Sequence, residues 1–295
     1  MQYHKKYVDV LGSRMAYIDE GEGETILFLH GNPASSYIWR NIIPHLTGRA
    51  RCVAPDLIGM GDSDKLPDTG PDCYRFVDHQ RYLEALYDQL DLGDEVVVVG
   101  QDWGSALAFD WARRHQDRLR GIVHTESIPC EWTRDDFPIP DDGLQNFLQL
   151  RTDAGEEMIL GTNFFVEYTM PHGTLRTLTD EEMDEYRRPF LQPGEARRAT
   201  LTWPRQVPFE GQPADVDAIV KSYATWLPGA EVPKLFIDAD PGFILTGKIR
   251  EWVMSWAHQD IITVRSKHFV QEDAPKEVGL AIAEWYDRIS VRGVA

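Results

Sequence analysis

Apolar residues along the chain fall into short continuous runs, and between those runs they recur at helical spacing. Thr25-Ile26-Leu27-Phe28-Leu29 and Val96-Val97-Val98-Val99 are the clearest runs, without the polar alternation of a half-solvated strand. Residues 51–56, 119–124, 234–238 and 261–264 read as further short strands. Residues 7–10 and 15–18 flank a Gly-Ser turn and read as a hairpin. Helical character marks residues 76–90, 105–115, 248–257 and 277–289. Short apolar strands alternating with helices predict an α/β fold, a mostly parallel sheet covered on both faces.

The alternation stops after Ile128. From residue 129 to residue 212 the pattern is helix and loop without a clear strand. Pro129, Pro138 and Pro140 open this stretch, and Pro193, Pro204, Pro208 and Pro213 punctuate its end. The expected organisation is a core domain of residues 1–128 and 213–295, interrupted by a helical cap subdomain of residues 129–212. Inserted after a strand end, the cap would cover the sheet edge where such folds place their sites.

Size and composition narrow the class. A chain of 295 residues, 42% of them hydrophobic, suits one large α/β domain with an insertion. A net charge of −18 makes nucleic acid and anionic membrane surfaces poor partners. No apolar run is long enough to span a bilayer. The three cysteines, Cys52, Cys73 and Cys130, are odd in number and widely spaced, against a disulfide framework and against structural zinc. The first residues lead into strand-like alternation rather than an apolar signal core. The expected setting is soluble, reducing and cytoplasmic, for a monomer or weak homo-oligomer.

The chemistry concentrates at Gly100-Gln101-Asp102-Trp103-Gly104, between the Val96–Val99 run and a helix-like segment. A strand ending in small-x-nucleophile-x-small and entering a helix is the nucleophile elbow of the α/β-hydrolases. Small residues are needed because the turn is tight and the helix packs close behind it. Here the middle residue is Asp. An Asp nucleophile attacks carbon through a carboxylate oxygen and leaves an ester on the enzyme. That ester needs a base to activate water and donors to hold the oxyanion. His268 lies just after the last strand, where the order nucleophile, acid, histidine expects the base. His30-Gly31-Asn32-Pro33 follows a buried strand at the loop that supplies one oxyanion N–H, and Trp103 supplies the other.

These segments, with His124-Thr125-Glu126-Ser127, Trp203-Pro204-Arg205 and the run from His268 to Asp273, resemble the haloalkane dehalogenases over nearly the whole chain. The resemblance implies an α/β-hydrolase fold with an eight-stranded sheet and an inserted helical cap. It implies Asp102 as nucleophile, His268 as base and Glu126 as the acid orienting it. It makes Asn32 and Trp103 the halide-binding pair. Both are hydrogen-bond donors without full charge, so their contacts strengthen as the halogen becomes an anion. The implied partners are a halogenated hydrocarbon, halide ion and water, with no metal or organic cofactor. Candidate pocket residues by position are Phe147, Phe165, Trp203, Pro204, Phe243 and Ile244. His172 and Gly173 fall where relatives line the access tunnel.

Several features depart from that pattern or stay open. Ser266-Lys267 stands in a turn where many relatives have a glycine, and Lys267 acts on His268 if it points inward. Asp238 and Asp240 follow a later strand and compete with Glu126 for the acid role. An epoxide hydrolase shares the Asp nucleophile but needs a proton donor, for which the cap offers Tyr168 and Tyr186. Asn163-Phe164-Phe165-Val166-Glu167 and Asp240-Pro241-Gly242-Phe243 also resemble the Renilla-type luciferases, cofactor-independent monooxygenases. A non-catalytic ligand-binding protein of this fold is the remaining alternative.

Overall fold

In the computed structural model, which describes residues 3–139 and 142–292, the continuous apolar runs become the middle of a single sheet. In chain order the strands are β1 (Lys6–Val10), β2 (Ser13–Glu20), β3 (Thr25–Leu29), β4 (Arg51–Pro55), β5 (Val96–Asp102), β6 (Leu119–Ser127), β7 (Lys234–Pro241) and β8 (Gln259–Ser266). They pair in the order β1-β2-β4-β3-β5-β6-β7-β8. β2 runs antiparallel to β1 and β4, and every other pair is parallel. β3 and β5 are buried along their whole length, as strands covered on both faces must be. The β1–β2 turn lies at Leu11-Gly12, one residue before the expected Gly-Ser.

Helices Phe76–Leu90, Trp103–Arg114, Gly247–Met254 and Pro275–Arg292 match the expected helical stretches, with ends shifted by a few residues. Helix Ala214–Trp226 was not anticipated, although its buried Val216, Val220 and Tyr223 are spaced for one face. The segment between β6 and that helix is built of short helical pieces, among them Gly143–Leu150, Asp180–Arg187 and Arg198–Gln206. Its two ends meet where Trp132 bridges Phe209. Pro140, expected to help open it, lies outside the described residues.

Two polar seams join this segment to the sheet. Glu272, fully buried, accepts from Arg40 at 2.6 and 2.8 Å and also from Arg176 and the hydroxyl of Tyr186. Arg40 and Arg176 both reach Glu182 as well. Beside them, Asp273 accepts from the backbone N–H groups of Leu175 and Arg176 through one oxygen. Its other oxygen accepts from Ser266 Oγ and the N–H of Lys267, so one carboxylate ties the cap to the turn carrying His268.

Candidate active site

The end of β5 folds as a strained elbow. Asp102 has φ 54°, a region that costs a non-glycine residue energy and is kept only where the surroundings enforce it. The register between β5 and β6 shifts between Gln101 and Asp102, and helix Trp103–Arg114 starts at the next residue. A Cβ on Gly104 would run into the carbonyl of Leu29, and one on Gly31 into the carboxylate of Asp102. Both positions are therefore closed to any side chain.

The carboxylate of Asp102 is aimed at by donors on one side. Its Oδ1 accepts from the N–H of Asn32 at 2.9 Å, and the N–H of Trp103 also bonds it. Burial raises the Asp102 pKa, opposed by the nearby His268 and by these two N–H groups. The loop bearing Asn32 is held by His30, whose Nδ1 donates to Gly31 O at 2.9 Å and whose Nε2 accepts from Leu57 N at 3.0 Å. Full burial lowers the His30 pKa to about 4, so the ring is neutral and can play both parts.

His268 stands opposite Asp102, its Nε2 3.6 Å from Asp102 Oδ2. Its Nδ1 donates to Glu126 Oε2 at 3.0 Å. Glu126 is buried at the end of β6, with φ 41°. Its carboxylate also accepts from the N–H groups of Phe243, at 3.2 Å, and Ile244, at 2.8 Å. The competing carboxylate is engaged elsewhere: Asp238 is bound by both arms of Arg250, at 2.6 and 2.7 Å, and by Thr263. Asp240 is exposed. Lys267 reaches outward, its Nζ donating to the carbonyl of His172 at 2.9 Å.

Asp102, His268, Asn32 and Trp103 share a cavity of about 160 Å³ under the helical segment. Phe147, Phe165, Pro204, Phe243 and Ile244 line it. Trp203 does not. It is fully buried behind the cavity wall, stacked on Trp103 with centroids 4.6 Å apart and on His79 at 4.2 Å. Helical geometry explains the correction: Trp203 and Pro204 are adjacent on Arg198–Gln206 and so face different ways. Tyr168, named in the epoxide reading, lines the cavity too, and Trp132, Leu150, Phe164, Thr169 and Val207 also line it and were missed. They come from separate short pieces whose relative placement no local pattern encodes. The Asn32 amide is held from the cap, Nδ2 donating to Thr200 O at 3.1 Å, which leaves its second N–H uncommitted to the protein.

A buried Asp on an elbow, with a His–Glu pair across from it, defines a hydrolase of the α/β-hydrolase class. Residues 24–275 match the family model described as alpha/beta hydrolase fold. The chain is 55% identical over 287 residues to a haloalkane dehalogenase of Sphingobium indicum, covering 97% of this chain and 96% of that protein. The crystal structure of a haloalkane dehalogenase from Bradyrhizobium elkani superposes with a TM-score of 0.92 at 40% identity, covering 98% of this chain and 99% of that one. A coelenterazine h 2-monooxygenase of Renilla reniformis is 41% identical over 291 residues, 96% of this chain and 91% of that protein. The protein belongs to the haloalkane dehalogenase family.

Proposed function

We propose that the chain hydrolyses short haloalkanes to alcohol, halide and a proton through an ester on Asp102. Asp102 displaces halide in line at an sp3 carbon, and Asn32 and Trp103 receive the departing anion. His268 then takes a proton from water as its oxygen attacks the ester carbonyl carbon, and Glu126 stabilises the imidazolium. The N–H groups of Asn32 and Trp103 hold the oxyanion. The observation that carries this reading is the placement of nucleophile, His–Glu pair and the Asn32–Trp103 donors in one cavity.

The size of that cavity supports a small substrate, since drug-sized ligands occupy roughly 300–1,000 Å³. A multi-ring imidazopyrazinone is a poor match for about 160 Å³. The epoxide reading needs two cap tyrosines, yet only Tyr168 lines the cavity; Tyr186 gives its hydroxyl to Glu272. The division into a core of residues 1–128 and 213–295 and a cap of residues 129–212 is supported by the Trp132–Phe209 bridge that closes the insertion. A cytoplasmic setting and a role in detoxification fit three free cysteines and a halogenated substrate. No helix among the described residues is long and apolar enough to cross a membrane.

The test is halide release from 1-bromobutane or 1,2-dibromoethane. His268→Phe should give one equivalent of halide and then stop, with the mass of the alkyl group added at Asp102. Absence of halide from a panel of short bromoalkanes would overturn the reading, and sustained turnover by His268→Phe would remove His268 as the base.

A further inference from the structure

We infer that Gln101 is a positioning residue that keeps His268 in its neutral Nδ1–H form with a bare Nε2. This rests on the reading of His268 as the base. Gln101 precedes the nucleophile and is fully buried. Its side-chain nitrogen lies 2.9 Å from His268 Nε2 and 3.3 Å from the carbonyl oxygen of His268. Its own side-chain oxygen has no hydrogen-bond partner among the described residues.

The carbonyl contact decides which way the amide faces. A backbone carbonyl only accepts, so the NH2 end of Gln101 must be the end presented to His268. That same NH2 then offers its other hydrogen to Nε2, which must accept with its lone pair. Nδ1 is committed as a donor to Glu126. The two contacts thus select one of the ring's three protonation forms. Protonating Nε2 would set N–H against N–H, and turning the amide to relieve this would set oxygen against the His268 carbonyl.

Strand geometry makes the contact unusual. Neighbouring residues on a regular strand point to opposite faces. The register shift after Gln101 and the positive φ at Asp102 break that alternation, so Gln101 and Asp102 both address Nε2. An imidazolium 3.6 Å from Asp102 Oδ2 would pair with the carboxylate and blunt it as a nucleophile. Gln101 opposes that resting state. In the hydrolytic step the single Nε2 lone pair turns from the Gln101 N–H to water and accepts one water proton as the water oxygen bonds the ester carbon. The alkyl C–O oxygen then leaves with the remaining hydroxyl proton as alcohol, and the Nε2 proton departs to solvent. The Gln101 donor favours that last deprotonation. The charged groups facing the ring are Asp102 and Glu126, while Lys267 points away to His172.

The experiment compares wild type, Gln101→Met and Gln101→Glu. Methionine keeps the length without the donor, and glutamate replaces the donor by an acceptor. Single-turnover kinetics with 1-bromobutane should show alcohol release slowed roughly tenfold in Gln101→Met, the scale of one buried hydrogen bond, with a smaller loss in the halide burst. Nitrogen NMR of 15N-histidine protein should show a protonated Nδ1 and bare Nε2 for His268 in wild type, its signal assigned by its loss in His268→Phe. Gln101→Glu should show both nitrogens protonated at neutral pH. Unchanged alcohol release in Gln101→Met, or an unchanged His268 signal in Gln101→Glu, overturns the inference. A wild type without any halide burst would instead overturn the haloalkane reading and leave the NMR result to judge Gln101.

Discussion

Asp102 carries its charge where burial opposes charge, and its backbone sits at φ 54°. Its folded pKa is raised, so the fold favours the protonated carboxyl: stability from this group is present at acid pH and lost as pH rises through the folded value. Asp102→Asn removes that cost. The variant should be inactive yet melt higher than wild type at neutral pH, and the gap should close as pH falls toward ordinary carboxylate values. Equal melting temperatures at every pH would contradict this. Glu126→Gln should cost far more activity than Asp238→Asn, because only Glu126 touches His268. Measured kcat for the two variants separates them, with Asp238→Asn losing stability instead by leaving Arg250 without its carboxylate. At this scale Asp102, His268 and the pair Asn32 and Trp103 stood out in the sequence because motif order carries them. Glu126 came from the family resemblance, with Asp238 left as its rival; in the structure Glu126 bonds His268 while Asp238 is taken up by Arg250. Gln101 was overlooked as a spacer in the elbow pattern, although a buried polar residue beside a nucleophile is itself a signal.

Elements of the core followed from periodicity, and those of the cap did not. Strands such as β3 and β5 announce themselves because burial on both faces leaves no polar position to blur the run. The cap contains the π-helical turns Glu157–Gly161 and Phe165–Thr169, and α-helices as short as the three residues Met170–His172 and the four residues Asp153–Glu156. Their amphipathic stripes are too short to fix a direction, so Trp203 was placed on the wrong side of its own helix. What seats these pieces is the buried charge cluster at Glu272. Glu272→Gln leaves Arg40 buried with half its pairing and should destabilise the protein by about 3–5 kcal/mol. Denaturant unfolding checks this, and a loss under 1 kcal/mol would mean that the cluster is dispensable.

Across the whole molecule, three histidines besides His268 are buried among the described residues and held neutral. Burial lowers the pKa of His30 to about 4, of His79 to about 3 and of His124 to about 4, against 6.5 when free. Below 6.5 the unfolded chain takes up protons that the folded one refuses, so stability is whole above that value and falls as pH drops toward the folded values. Three such groups give a slope of about 4 kcal/mol per pH unit. A stability of about 5–9 kcal/mol, in the lower part of the typical range, places acid unfolding between about pH 5 and pH 4. Circular dichroism across that range tests it, and His79→Phe, which keeps the ring stacked on Trp203, should flatten the slope. A midpoint below pH 3 would refute the account.

The Asp273 carboxylate, clasping cap backbone with one oxygen and the His268 turn with the other, has a consequence for descent. Variation near Leu175 and Arg176 is therefore transmitted through this carboxylate to the turn that carries the base. Lineages that vary this loop would lose speed. Change at Phe147 or Leu150, on a separate helix, escapes that penalty. Adaptive substitutions should therefore accumulate on that helix first.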